Sequence, residues 1–288
     1  MVNKLKFLAG LLAVALVIAI GVSVYFGSQN LAFSDQTKSQ GTKLEMISIL
    51  TQAQVRAEAE LQKLGVSLVY ASEQLSTTGL EGDQARAVLS ALAANSSFTI
   101  EAATQNLNRT MITVEPASLR SSEGKTIGPQ KWLNINPNGP ILPSMTAVIP
   151  LIVGYDGVSI VAPVFDLNKT LIGTLSVAFN HVALLNATVA PLIKDTKYAV
   201  TISQLDSKII YDTDPAQQGK VLFDPIYANY TSLLAMWHHV ASESSGYGTY
   251  TFTLNAESGQ IVQKECFWTT IGAYGAEWRL AIIHALDA

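Results

Sequence analysis

ISQLDSKIIYDTDP, residues 202–215, reads as a strand, a polar turn, a second strand and an acidic step into proline, and it leads on to Gly219-Lys220-Val221-Leu222. The same run occurs earlier, where TQNLNRTMITVEP, residues 104–116, leads on to Gly124-Lys125-Thr126-Ile127. Each ends in Gly-Lys, then a β-branched residue, then an aliphatic one. Pro116 and Pro215 are 99 positions apart, and Gly124 and Gly219 are 95 apart. Closing strand pairs recur too, VSIVAPVFDLNKTLIGTLSVAF (158–179) and VQKECFWTTIGAYGAEWRLAIIHA (262–285). Two tandem copies of one module follow from this spacing.

Outward from the repeat, runs rich in β-branched and aromatic residues predict strands at 98–103, 111–114, 159–165, 171–179, 198–204, 208–211, 248–254, 261–270 and 278–284. Helical spacing interrupts them only at 182–193 and 232–242, so the class is α+β with antiparallel sheets. Before the first strand, Ile47, Leu50, Ala53, Ala57, Leu61, Leu64, Leu68, Ala71 and Leu75 recur at three- and four-residue steps without an intervening proline. This predicts one long helix over 43–76, packed along its own domain or paired with a second copy in a homodimeric coiled coil, and then a short helix over 83–94. The segment 35–42 is polar and reads as a linker.

Residues 7–26, FLAGLLAVALVIAIGVSVYF, carry no charge and follow Lys4 and Lys6. Twenty residues at about 1.5 Å rise cross about 30 Å, so the stretch suits a signal anchor with its N terminus in the cytoplasm. A cleaved signal peptide, with Ala32-Phe33-Ser34 as a weak cleavage site, is the alternative. The domains expected are 1–34 (tip and anchor), 35–97 (linker and helices), 98–194 (membrane-distal module) and 195–288 (membrane-proximal module). Five sequons, at Asn95, Asn108, Asn168, Asn186 and Asn229, are glycosylation candidates on an extracytoplasmic surface. Sequons without a cystine fit an archaeal surface protein best.

Only 14% of the 288 residues are charged, 22 acidic against 18 basic, and the five arginines are scattered, so no nucleic-acid footprint exists. Single Cys266 excludes an internal disulfide. The histidines are His181, His238, His239 and His284; of these only His239 has an acidic residue at helical i, i+4 spacing, Glu243, and two ligands do not make a zinc site. No metalloprotease, phosphate-loop, nucleophile-elbow or dinucleotide motif is present. The chain is read as a non-enzyme without cofactor or metal.

In order and spacing, Ile209–Pro215 with Gly219–Leu222 and Gly275–Leu280 resemble the second and final strands of the membrane-proximal module in double Cache sensor domains. Gly124-Lys125 to Trp132 and the Ala162–Gly173 hairpin are similar to their membrane-distal counterparts. The resemblance covers about 43–284 and implies two tandem PAS-like modules that sense a small molecule outside the cell. It implies a ligand in the distal module, along 131–159. There Trp132 is a candidate wall, Ser144 a hydroxyl donor, and Tyr155 with Asp156 a seat for a polar or cationic metabolite; core and turn roles are the alternatives for each. Lys131-Trp132-Leu133 stands where amino-acid-binding members have Arg-x-Trp-Tyr, which argues against an amino acid. Tyr211, Asp212 and Asp214 are a second candidate site, or turn formers before Pro215. With no transmitter after Ala288, a separate signalling partner is expected. A structural or adhesive surface protein is the rival reading.

Overall fold

A computed structural model describes residues 2–128, 138–151, 154–254 and 259–286, with side chains from 39 onward. The chain divides into two compact units, Met1–Ser48 and Ile49–Ala288. Helix α1 runs Val2–Thr78. The segment 35–42 is therefore helical and not a linker: it holds no proline, and its one glycine, Gly41, costs only about 1 kcal/mol of helix propensity. The anchor stretch 7–26 lies outside the residues whose side chains are described. Among the described residues, no helix is long and apolar enough to cross a membrane.

In the second unit, Leu50, Ala53, Ala57, Leu61, Leu64, Leu68, Ala71 and Leu75 are all buried on one face of α1, as their spacing predicts; Ile47, assigned to the same stripe, is 42% exposed. Next come α2 (Gly82–Ala94), β1 (Thr99–Asn106), β2 (Met111–Glu115), β3 (Ser144–Met145), β4 (Ile149–Pro150), β5 (Asp156–Phe165) and β6 (Leu171–Phe179). They are followed by α3 (His181–Ile193), β7 (Tyr198–Gln204), β8 (Ile209–Asp212), α4 (Thr231–Ser242), β9 (Gly246–Thr253), β10 (Ile261–Ala273) and β11 (Ala276–Ala285). The first sheet has the order β2-β1-β6-β5-β3, with β4 pairing β5, and the second has the order β8-β7-β11-β10-β9. Counted along its own main path, each sheet has the order 2-1-5-4-3, and every pairing is antiparallel. The repeat seen in the sequence is thus a repeat of topology.

It extends to individual hydrogen bonds. The first hairpin turns with Asn106 N–H donating to Thr110 O and Arg109 N–H to Asn106 O; the second has Gln204 N–H to Lys208 O and Ser207 N–H to Gln204 O. Arg109 and Ser207 both take the left-handed conformation, φ 63° and 69°. Met111 N–H then reaches Lys125 O, and Gly124 N–H returns to Met111 O; Ile209, Lys220 and Gly219 repeat the exchange. Gly124 (φ 83°) and Gly219 (φ 80°) lie in a region that other residues enter only at a cost, which is why the Gly-Lys step marks both copies.

Equivalent positions differ in side chain: at three of them the first sheet carries the smaller residue, and at the fourth it carries a carboxylate where the second has a methyl. Pairing registers align Ser159 with Cys266, Val161 with Trp268, Ala178 with Ile283 and Glu101 with Ala199. Over the second sheet, α4 packs Leu233, Met236, Trp237 and Val240 on Tyr250, Cys266, Trp268 and Ile283 as one core. Buried Arg279 secures the end of α4, its Nε donating to the carbonyls of Val240 and Glu243 at 3.0 Å. Cations at a helix C-terminus meet its unsatisfied carbonyls and its dipole.

Candidate functional site

A cavity of about 500 Å³ lies over the first sheet. Glu101 and Gln105 of β1, Ser176 and Ala178 of β6 and Ser159 of β5 form its floor, alternating with residues on the other face as strand geometry requires. Met111, Thr126 and Ile127 close one side, and Met145 to Ala147 with Ile149 to Leu151 form the opposite wall. Gln105 Nε2 donates to Ser176 Oγ at 2.8 Å, and Thr174 Oγ1 donates to Gln105 Oε1, so this amide is held in place. Glu101 is 8% exposed. Burial raises its carboxyl to about 7, opposed only by the distant charge of Lys125.

The wall segment is tied to the second sheet. Met145 N–H donates to Tyr274 O at 2.9 Å, in the β10–β11 turn. Val148 N–H donates to Gln204 Oε1 at 2.6 Å. Asp156 pairs with Lys208 at 3.2 Å. Tyr274 also reaches α1, its hydroxyl donating to Gln62 O at 3.3 Å. Its ring lies against Gly65, where a Cβ would overlap it.

Of the residues picked from sequence, Lys131 and Trp132 lie outside the described residues. Ser144 is buried in β3 beside the wall but does not line the cavity. Tyr155 and Asp156 face a separate cleft of about 590 Å³ between the two sheets, together with His181 and Lys208. His181 Nδ1 has no partner among the described residues, and burial lowers the imidazole to about 4. The structure therefore does not bring Asp156 together with the distal cavity. Glu101 is not among the residues that motif and resemblance select; the signal for it is the repeat, which aligns it with Ala199, a charge-for-apolar exchange in a strand.

In the second module, the Thr201 hydroxyl donates to Asp212 Oδ2 at 2.6 Å and the Asp214 N–H to Oδ1 at 2.8 Å. Burial outweighs these bonds and raises Asp212 to about 6. Asp214 caps the turn that follows, accepting from Ala216 N–H. Tyr211 points elsewhere, toward Asn186 at 3.5 Å. Asp212 and Asp214 line a cavity of about 80 Å³, and Tyr211 and Asp212 line a broader cleft of about 740 Å³ against α3. His239 bonds Glu243 at 2.9 Å on an exposed face, and the Cys266 thiol is buried, its ionisation suppressed.

Residues 59–181 match the family model of the HK/GC/chemotaxis protein-like sensor domain. The structure is similar to an extracellular ligand-binding receptor from Desulfohalobium retbaense, with TM-score 0.69 and 27% identity over 83% of this chain. The chain spans 40% of that receptor's length. The periplasmic sensory domain of the Campylobacter jejuni chemoreceptor Tlp1 shares the fold at TM-score 0.61 and 12% identity, with 86% of this chain and 96% of that one covered. So does the ligand-binding domain of the Pseudomonas fluorescens chemoreceptor CtaA in complex with L-serine, at TM-score 0.55 and 12% identity, covering 88% and 100%. No curated protein matches the chain. Residues 59–181 thus match the HK/GC/chemotaxis protein-like sensor-domain model, and two sheets of one topology behind a long helix give the chain the fold of these extracellular ligand-binding and sensory domains.

Proposed function

We propose that this chain senses a small polar or cationic metabolite outside the cytoplasm, held in the cavity over the first sheet, and carries no catalytic activity. The supporting observation is the asymmetry between two sheets of the same order: Trp268 and α4 fill one face, and about 500 Å³ stays open on the other. A scaffold or adhesin has no use for this difference. The open cavity also carries Glu101, Gln105, Ser159 and Ser176, polar groups that a sealed apolar core would exclude.

The path of the signal follows from the wall. A ligand that prefers one position of Met145–Leu151 shifts the Met145–Tyr274 bond, and Tyr274 bears on α1 at Gln62 and Gly65. Bias between two positions is all that such a switch requires. Tyr155 and Asp156 serve this coupling through Lys208, Asp212 and Asp214 serve the second module's turn, and Tyr211 meets α3 at Asn186. Residues 7–26 anchor the chain in the membrane, 98–194 form the distal module and 195–288 the proximal one. The five sequon asparagines are all exposed, as glycan attachment requires. Val55, Val66 and Tyr70 leave apolar surface on the outer side of α1, which suits contact with a second copy.

A thermal-shift screen of the full-length chain against amino acids, amines, carboxylates and purines tests this. A binder at a hundred times its Kd adds about 2.7 kcal/mol and raises the Tm by about 5 °C or more. The same binder should slow amide exchange in α1 around Gln62–Gly65. A screen with no stabilising compound, or one whose binder leaves α1 exchange unchanged, would contradict the sensing path.

A further inference from the structure

We propose that Glu101 makes the cavity a site for organic cations: a protonated amine or amidine against its carboxylate, with an apolar body against Met111, Met145, Ile149 and Leu151. This rests on the reading of the cavity as the ligand site and names what enters it.

Glu101 is more than nine-tenths buried, and its carboxyl has no hydrogen bond or ion pair to any described residue. It is the one ionisable group among the described residues that line the cavity. Lys125 acts on it only through its field. The fold does not need the carboxylate, because the other module keeps the same strand with Ala199 in this place. Burying an unpaired carboxylate is costly, so such a group either protonates or finds a cation. An ammonium supplies both the charge and the hydrogen-bond donors. Beyond Glu101 the floor offers only the neutral polar groups of Gln105, Ser159 and Ser176, and Met111, Met145, Ile149 and Leu151 present apolar surface, so the site suits a carbon skeleton and not a second charge.

The exchange balances simply. The neutral acid gives its proton to solvent as the cation arrives, and the carboxylate–ammonium pair remains. With the empty site at about 7, cation affinity is level above that pH and falls below it. The expected loss from pH 8 to pH 6 is about tenfold.

The test is calorimetric titration of the full-length chain with the monocations phenethylamine, benzylamine and benzamidine, and with 2-phenylethanol and phenylacetate as neutral and anionic shapes. At least one cation should bind more than tenfold tighter than both isosteres, weaken about tenfold from pH 8 to pH 6, and release a proton, read from heats in buffers of different ionisation enthalpy. Glu101→Gln should remove both the cation preference and the pH dependence. Because that pH dependence is measured on the unaltered chain as well, a variant that fails to fold does not decide the matter. Equal binding of an isostere, a pH-independent cation, or indifference to Glu101→Gln overturns this inference and leaves the cavity reading standing. If no compound of any charge binds here or in the broader screen, the cavity reading itself falls.

Discussion

Glu101→Gln is expected to stabilise the ligand-free protein at pH 8 by about 3 kcal/mol, worth some 5–10 °C in Tm. Burial raises the folded-state carboxyl from 4.5 to about 7. The folded chain therefore binds more protons than the unfolded one between those values, and stability falls as pH rises through the window. Above pH 7 the loss is complete, and below pH 4.5 it is absent. The variant removes it, so the gap between variant and parent should close as the pH is lowered from 8 to 4.5. Asp212, raised to about 6, acts in the same direction, and His181, lowered to about 4, acts in the opposite one. Both stay in each protein, so the difference isolates Glu101. A variant no more stable than its parent at pH 8, measured by chemical denaturation, would show that the carboxyl is not held in a low-dielectric site. A residue that costs stability in the empty protein and contributes on binding is the usual trade-off at a functional site.

Gly173→Ala is expected to cost about 3 kcal/mol. Gly173 pairs with Asn106 in the β1–β6 ladder, and an added Cβ would overlap the Gln105 carbonyl oxygen and Leu80. Neighbouring backbone in a sheet cannot move aside as a side-chain end can, so β1 must shift. Gln105 and Glu101 ride on the same strand, and the variant should also lose ligand stabilisation. A two-state urea midpoint within 0.2 M of the parent, about 0.5 kcal/mol, would contradict this close approach.

Much of the fold could be read from turn chemistry. The Asn106 and Asp166 turns share one pattern: the side-chain oxygen accepts two N–H groups, and a positive φ follows at Arg109 and Lys169. Residue types suited to such turns recur at fixed offsets, so the strands flanking them were placed within a few residues. Two-residue β3 and β4 were invisible, since so short a run has no period. Polarity at 35–42 suggests a loop, yet α1 runs through it, because Gln and Lys are also good helix formers.

The site was harder to read for a different reason. Asp156 drew attention beside Tyr155 and Gly157, yet its partner Lys208 lies on the other module, a pairing that only the fold creates. Glu101 sits in a strand next to Ala102 and Ala103, where a single acidic residue looks like a solvent-facing position. Its meaning depends on what covers that face, which the strand does not encode. Only the comparison of the two modules, position by position, exposes it.

The central claim is that the ligand occupies the cavity over the first sheet and not the cleft between the sheets. The decisive measurement titrates the strongest binder at pH 8 into the parent, Ala178→Phe and Val182→Phe. Ala178 pairs with Glu101 and Ser159 across the cavity floor, and a phenyl ring there occupies the ligand's volume; Val182 lines the intermodule cleft. The account predicts that Ala178→Phe loses measurable binding while Val182→Phe keeps the parent's affinity. Undiminished binding by Ala178→Phe, with loss in Val182→Phe, would contradict it.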